Sequence, residues 1–361
     1  MTTYRAGVIG HTGRGNYGHS LDTVYLGMEE IDLVAVADAD ADGLTEAGER
    51  LGVGTAGCYS DYRRMLEQEE LDIVSVAPRW LDQKSDMVIA AAASGVRGIF
   101  CEKPFARTAA EADAMIAACE RAGVKITVSH QGRVNRFSHK MKEMIADGAI
   151  GEVEEAHSAG KQDHRGGGQD LMVLGTHSLD MLCFLFGHPS WVQAYIRQDG
   201  HDAGPDDARQ GDEEIGPIVG DHLQATYGFD EGIVATFSSR RQTVRPGPRP
   251  GGLVVHGTEG ILLNRDGYLF HCPHPNWSPA FSDPAWKLVL KPNDLGFNTL
   301  NAYMVRDLIA AFEEGREPIS SGRDARWALE MILGVYTAHR HGRTPLPLAD
   351  REHPLRDWVS R

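Results

Sequence analysis

The chain of 361 residues is 42% hydrophobic and 24% charged, an ordinary globular composition, and at about 100 to 200 residues per domain its length predicts two domains. A formal net charge of −15 excludes a general nucleic-acid or anionic-membrane surface, since both need a basic field. The chain opens on a strand pattern, not a basic and apolar leader, and no run of ~18 apolar residues occurs, so a cytoplasmic location is expected.

A small-molecule ligand fits this composition. Cysteines 58, 101, 119, 183 and 272 form no CxxC pair and no metal-ligand spacing, so they read as reduced thiols and no metal is expected. The stretch HCPHP (271–275) reads as a surface loop stiffened by two prolines, with metal binding as the alternative.

Between residues 4 and 130, short β-rich runs alternate with helical stretches. The runs are YRAGVI (4–9), IDLVAVAD (31–38), LDIVSVA (71–77), GIFCEK (98–103) and VKITVSH (124–130). GHSLDTVYLGM, DGLTEAGERLG, YRRMLEQEE, LDQKSDMVIAAAASG and TAAEADAMIAACERAG lie between them, most with helical spacing of apolar residues and a glycine near the end. This βαβ pattern predicts an α/β fold with a parallel sheet covered on both faces.

The glycine-rich stretch VIGHTGRGNYGH (8–19) follows the first strand. Glycines there let backbone N–H groups approach a pyrophosphate. The regular G-x-G-x-x-G would begin at Gly10, but its second glycine position holds Thr12; the letters recur as GRGNYG (13–18). A longer loop is therefore expected, with Gly10, Gly13 and Gly15 near the phosphates and Gly18 in the first helix turn. Asp38 closes the second strand, the place for a carboxylate that binds the adenosine ribose hydroxyls; the alternative is a helix N-cap. That carboxylate would repel a 2′-phosphate, and no Arg or Lys follows it within ten residues. NAD is expected over NADP.

The stretch CEKPFARTAAEAD (101–113), with VAP (76–78), IADGAIGEV (145–153), GGGQDLMVLGTHSLDML (166–182) and SGRDARWALEMILGVYTAHRHGR (321–343) before TPLPL, resembles the Gfo/Idh/MocA family of oxidoreductases along nearly the whole chain. The resemblance implies a Rossmann domain (1–130) and an α+β substrate-binding and oligomerisation domain (131–361) with a large, mostly antiparallel sheet, whose C-terminal helix packs back on the first domain. The residues supply matching pieces: WVQAYIRQ (191–198), DHLQATYGF (221–229), GIVATFSSRR (232–241) and LVVHG (253–257) are alternating β-rich runs with no helices between them. Such strands are expected to leave one apolar sheet face, buried in a homodimer or homotetramer. Residues 199–216 and 245–252 read as long excursions, candidate lids.

Carried onto this sequence, the resemblance implies that Lys103 stands between nicotinamide and substrate and that His177 accepts the substrate proton. Oxidising a secondary alcohol needs a group titrating near neutrality beside the hydroxyl, which suits a histidine. Without the family, a strand-end surface lysine and a core histidine are the simpler readings. The cofactor-binding candidates are Gly10, Thr12, Gly13, Arg14, Gly15, Asp38, Pro78, Trp80, Glu102 and Lys103. The substrate-binding candidates are Lys103, Lys161, Asp163, His164, Arg165, Asp170 and His177. Trp80 is a candidate to stack on the nicotinamide or a sugar face, or else to pack. The family's aspartate one turn before the histidine is replaced by Val173. On a continuous helix Asp170 lies two turns from His177, ~10 Å at 1.5 Å per residue, which suits a substrate contact; Asp180 is expected to anchor the helix. The expected activity is NAD-dependent oxidation of a ring hydroxyl on a sugar, cyclitol or glycoside. The alternatives are a redox-neutral enzyme that recycles bound NAD and a silent NAD-binding regulator.

Overall fold

The computed structural model describes residues 3–242, 252–273, 285–292 and 295–359. Apart from Gly252, the excursion read at 245–252 lies outside the described residues, as do His274 and Pro275 of HCPHP. The chain divides into two compact units, one of residues 1–134, 212–216 and 295–329 and the other of residues 135–211, 217–294 and 330–361.

The first unit carries six strands: β1 (Tyr4–Ile9), β2 (Ile31–Ala37), β3 (Cys58–Tyr59), β4 (Ile73–Val76), β5 (Gly98–Cys101) and β6 (Lys125–Val128). They pair in parallel in the order β3-β2-β1-β4-β5-β6, the doubly wound arrangement that α/β alternation predicts. Helices α1 (Ala41–Leu51), α2 (Tyr62–Gln68), α3 (Lys84–Ala93) and α4 (Ala109–Ala122) follow the strands. Their ends are written in the sequence. Asp40 accepts from Gly43 N at 2.7 Å and Thr108 accepts from Glu111 N at 3.1 Å, while Gly52 and Gly123 close α1 and α4 in the left-handed region. The cap of α1 is thus Asp40, two residues beyond Asp38.

One expected helix is not formed. GHSLDTVYLGM (18–28) is a run of turns with a single 3₁₀ turn at Thr23–Tyr25. Asn16, Gly18 and Ser20 all have positive φ, which a right-handed helix cannot contain. The spacing of Leu21, Val24, Tyr25 and Met28 imitates a helix face, and all four are 4% exposed or less. They satisfy the hydrophobic requirement from irregular backbone, joining a core cluster with Val8, Val36 and Phe100.

In the second unit, α5 (Arg136–Ala146) precedes β7 (Val153–Ala159), α6 (Gly168–Val173) and α7 (Gly175–Phe186). Strands β8 (Trp191–Gln198), β9 (His201–Asp202), β10 (Arg209–Gln210), β11 (Pro217–Ile218), β12 (His222–Gly228), β13 (Val234–Arg240), β14 (Leu253–Gly257), β15 (Gly260–Arg265), β16 (Tyr268–Cys272), β17 (Lys287–Leu290) and β18 (Thr344–Pro345) follow. Ten of them build one sheet in the order β17-β16-β15-β14-β7-β13-β12-β8-β18 with β9 on β8. Only β7 and β13 pair in parallel; the other described pairs are antiparallel. The chain returns to the first unit as α8 (Phe297–Glu314), which packs on β5 and β6. At Gly98 a Cβ would stand 3.0 Å from Leu308, so the missing side chain sets that approach. Helix α9 (Gly322–His341) follows.

The large sheet has two distinct faces. Val192, Ile196, Leu223, Tyr227, Phe237 and Val255 point to a buried face on which α6 and α7 pack. On the opposite face the polar residues His157, Gln224, Thr226, Thr236 and Ser238, with Val254 and Leu263, line an open groove of about 710 Å³. The alternation therefore reports one buried face and one open face, which is polar on β7, β12 and β13 and carries Tyr195, Tyr268 and Leu288 exposed on β8, β16 and β17.

Candidate active site

In the first unit the carboxyl end of β5 carries Glu102 and Lys103, followed by a cis Lys103–Pro104 peptide. Lys103 is 2% exposed and donates its backbone N–H to Ser129 Oγ at 3.1 Å. Ser129 Oγ in turn donates to Glu102 Oε2 at 2.8 Å, and His19 Nδ1 meets Glu102 Oε1 at 2.5 Å. Glu102 is wholly buried. Burial alone would raise its pKa, but the His19 bond and the charges of Lys103, His19 and Lys84 outweigh it and hold the carboxyl down near 2. Lys84 on α3 is also buried, and its Nζ donates to the carbonyls of Glu102 and Pro104, each at 2.7 Å. Burial first, and Lys103 among the charges, push its pKa down to about 8.

The glycine loop closes on itself across a bridge between His11 and Asn16. Gly15 has φ 95°, and a Cβ there would meet Trp80 N at 2.5 Å and Arg79 N at 2.6 Å, so only glycine fits this approach. Arg79 N donates to Gly15 O at 3.2 Å, tying the loop to the segment after Pro78. Arg14 lies over the Trp80 ring at 4.8 Å and bonds Asp82 at 2.5 Å. A face of Trp80 is thereby covered by a guanidinium.

Asp38 is 1% exposed. Its carboxylate accepts from Thr12 N at 3.0 Å, Thr12 Oγ1 at 2.7 Å, Tyr17 O–H at 2.8 Å and Asp40 N at 3.0 Å. Four donors fill a carboxylate's capacity, so Asp38 as placed holds the loop down, and the ribose contact expected from sequence requires it to release a donor. Beside it, Gly10, His11, Asp38, Tyr62, Arg63 and Gln83 line a cavity of about 240 Å³ at the carboxyl ends of β1 to β3. This is where ligands enter an open parallel sheet. The tight Gly15 turn and this crevice offer the close backbone approach and the strand-end position that a dinucleotide needs. Such a ligand does not receive a helix N-terminus after β1, because that helix is absent.

In the second unit His177 is half-buried in the first turn of α7, and its backbone N–H donates to Leu174 O at 3.1 Å. The sequence expectation of one helix through Asp170, Val173 and His177 fails at Leu174 (φ −119°), which separates α6 from α7. A Cβ on Gly175 would lie 2.9 Å from Phe237, so the chain turns there against β13. Asp170 is fully buried and accepts from Lys161 N and Gln162 N, both at 3.2 Å, and from Ser239 Oγ. As placed, Asp170 pins the 160–162 segment to β13. Asp163 pairs with Arg165 at 2.6 Å, and that bond holds its carboxyl near 2. Lys161 and His164 are exposed, and Asp180 is buried on α7.

Residues 4–130 match the oxidoreductase family GFO_IDH_MocA, described by an NAD-binding Rossmann fold, and residues 138–263 match the GFO/IDH/MocA C-terminal domain. The chain belongs to the Gfo/Idh/MocA oxidoreductase family. It is 32% identical over 336 residues to a D-apiose dehydrogenase of Paraburkholderia graminis, covering 88% of this chain and 83% of that one. It is 26% identical to a myo-inositol 2-dehydrogenase of Thermotoga maritima, covering 74% and 82%. An oxidoreductase from Agrobacterium radiobacter, crystallised with NAD+, L-tartaric acid and magnesium, shares the fold at a TM-score of 0.75 and 19% identity over 95% of this chain and 98% of that one.

Within this family member, sequence reasoning missed Tyr17, His19, Arg63, Lys84 and Ser129. One signal was present: Lys84 falls on the stripe of Met87, Val88, Ala91 and Ala92, all buried on α3. A lysine in phase with an apolar stripe is a buried lysine. Arg63 carries no such signal, because it reaches the cavity beside Asp38 from α2, far along the chain from that strand end.

Proposed function

We propose that this chain is an NAD-dependent dehydrogenase that oxidises a secondary ring hydroxyl of a sugar, cyclitol or glycoside. The observation that carries the reading is the placement of Lys103 directly after β5, at the carboxyl edge of a parallel sheet in a family of NAD-binding oxidoreductases. When bound, NAD accepts hydride at the nicotinamide. Gly13, Arg14 and Gly15 would hold its phosphates and Asp38 would face its adenosine end. Lys103 binds and orients the substrate hydroxyl, and His177 accepts the proton it releases. Lys161 and the Asp163–Arg165 pair offer charged and hydrogen-bonding groups to further hydroxyls. We place the protein in the cytoplasm as a homo-oligomer; Tyr195, Tyr268 and Leu288, exposed on the large sheet, support an interface there.

The test is incubation with NAD+ and a panel of D-apiose, myo-inositol, other aldoses and anhydrosugars, read as growth of absorbance near 340 nm. Oxidation of one of them is expected. Product without net NADH would favour internal recycling of the cofactor, and no change with any of them would sink the enzyme reading.

Cofactor choice is a separate expectation. The buried Asp38 carboxylate opposes a 2′-phosphate, so the native protein should bind NAD+ more tightly than NADP+, and Asp38→Ala should narrow the gap. Dissociation constants for both cofactors check this. A ratio unchanged by the substitution would leave Asp38 with the loop-holding role alone, and a native preference for NADP+ would point to Arg63 as the phosphate partner.

A further inference from the structure

We propose that Lys84 is a positioning residue, whose ammonium grips the two carbonyls flanking Lys103 and so fixes the active-site lysine at the end of β5. This rests on the reading of Lys103 as a group that touches substrate. Lys84 is 1% exposed, and its Nζ stands 2.7 Å from both Glu102 O and Pro104 O. Those carbonyls bracket the Lys103 residue on either side. The third restraint is Ser129 Oγ, which accepts the Lys103 N–H and bonds Glu102, itself bonded by His19. Cys101 Sγ adds a weak contact to the Glu102 carbonyl at 3.5 Å, while Lys84 supplies the charged donor to both flanking carbonyls and Ser129 holds the Lys103 N–H between them.

Stability alone does not select a lysine here. Burying an ammonium is expensive, and an apolar residue of the same length at the same stripe position of α3 would pack at no such cost. The other charged groups facing Lys84 are Glu102, Lys103 and Glu213, and its two described bonds go to backbone carbonyls rather than to either carboxylate. An ammonium spent on two carbonyls around one residue restricts that residue's position. Misplacing a reacting group by ~1 Å costs about 10²-fold in rate.

The experiment compares the native protein with Lys84→Met, Lys84→Gln, Lys103→Ala and the double substitutions, using the panel sugar that turns over and saturating NAD+. Lys84→Met should lower kcat ~10- to 100-fold, with the dissociation constant for NAD+ changed less than ~3-fold because the cavity beside Asp38 is untouched. Lys84→Gln, which keeps an amide donor, should recover part of the loss. The decisive readout is coupling: added to Lys103→Ala, Lys84→Met should lower kcat no further than ~2-fold, since its effect runs through Lys103. Independent, multiplicative losses overturn the proposal, as does native kcat in Lys84→Met. If Lys84→Met does not fold, Lys84→Gln carries the same comparison in both backgrounds. Native kcat in Lys103→Ala is a different failure, because it removes the active-site reading and the proposal with it.

Discussion

Replacing His177 by alanine is expected to lower kcat by ~10²- to 10⁴-fold at saturating NAD+, the usual worth of a positioned acid-base group. Lys103→Ala should be at least as damaging, because we assign it contact with both cofactor and substrate. The expectation for His177 follows from its place. It is half-buried in the first turn of α7, where the break at Leu174 and the close approach of Gly175 to Phe237 fix the start of the helix. Position 173, where the family carries a carboxylate, holds a valine that is 4% exposed. On the proposed reading, proton acceptance falls to the imidazole without that relay. Asp170→Asn serves as the contrast. Since Asp170 binds Lys161 N, Gln162 N and Ser239, the substitution should loosen the 160–165 segment, raising KM for the sugar and lowering Tm while kcat changes little. Circular dichroism checks that each variant folds. Near-normal kcat in His177→Ala would remove the proton-acceptor assignment; a kcat loss in Asp170→Asn at unchanged KM would move that carboxylate into the relay.

What the sequence made legible was the part that periodicity and capping encode locally. The parallel strands, the helices from Ala41 to Ala122 and the strand runs at 191–198, 222–228 and 234–240 all carry their own pattern. The segment from Gly18 to Met28 shows why such patterns fail: an i, i+3, i+4, i+7 stripe reports burial, and backbone rich in positive φ can bury the same four side chains without a helix. Strand β7 is not legible in the sequence, since it draws its pairing from the distant β13 and β14. The same division holds at the site. Lys103 and His177 sit in short motifs that a family preserves as strings. Lys84, His19 and Ser129 reach Glu102 from three separate elements, so their meeting is a product of the fold; only the phase of Lys84 on its helix hinted at it.

Acid should destabilise the protein well before its carboxylates protonate. His130 is 1% exposed, and burial first, then the charges of Arg133 and Lys103, push its pKa down to about 3; His353, 5% exposed, is pushed down to about 4 by burial and the Arg356 charge. Both are neutral in the folded chain, whereas an unfolded histidine titrates near ~6.5. Below that value the unfolded state binds the proton and the folded state does not, so stability falls as pH drops and is fully present only above ~6.5. Each histidine contributes about 1.4 kcal/mol per pH unit in this window, or about 2 kcal/mol between pH 6 and pH 4.5 and about 4 kcal/mol for the pair. His222, His256 and His271, less buried, are shifted the same way and add to the trend. Glu102, held near 2, adds nothing until pH falls through the ordinary carboxylate range, and Lys84, near 8, is protonated in both states throughout. Urea unfolding from pH 7 to pH 4.5 reads the effect. His130→Gln and His353→Gln should each flatten the profile by about one proton, and additively, because the two residues lie in different compact units. Equal unfolding free energies at pH 6.5 and pH 4.5 in the native protein would show that these imidazoles are already accessible to protons in the folded state.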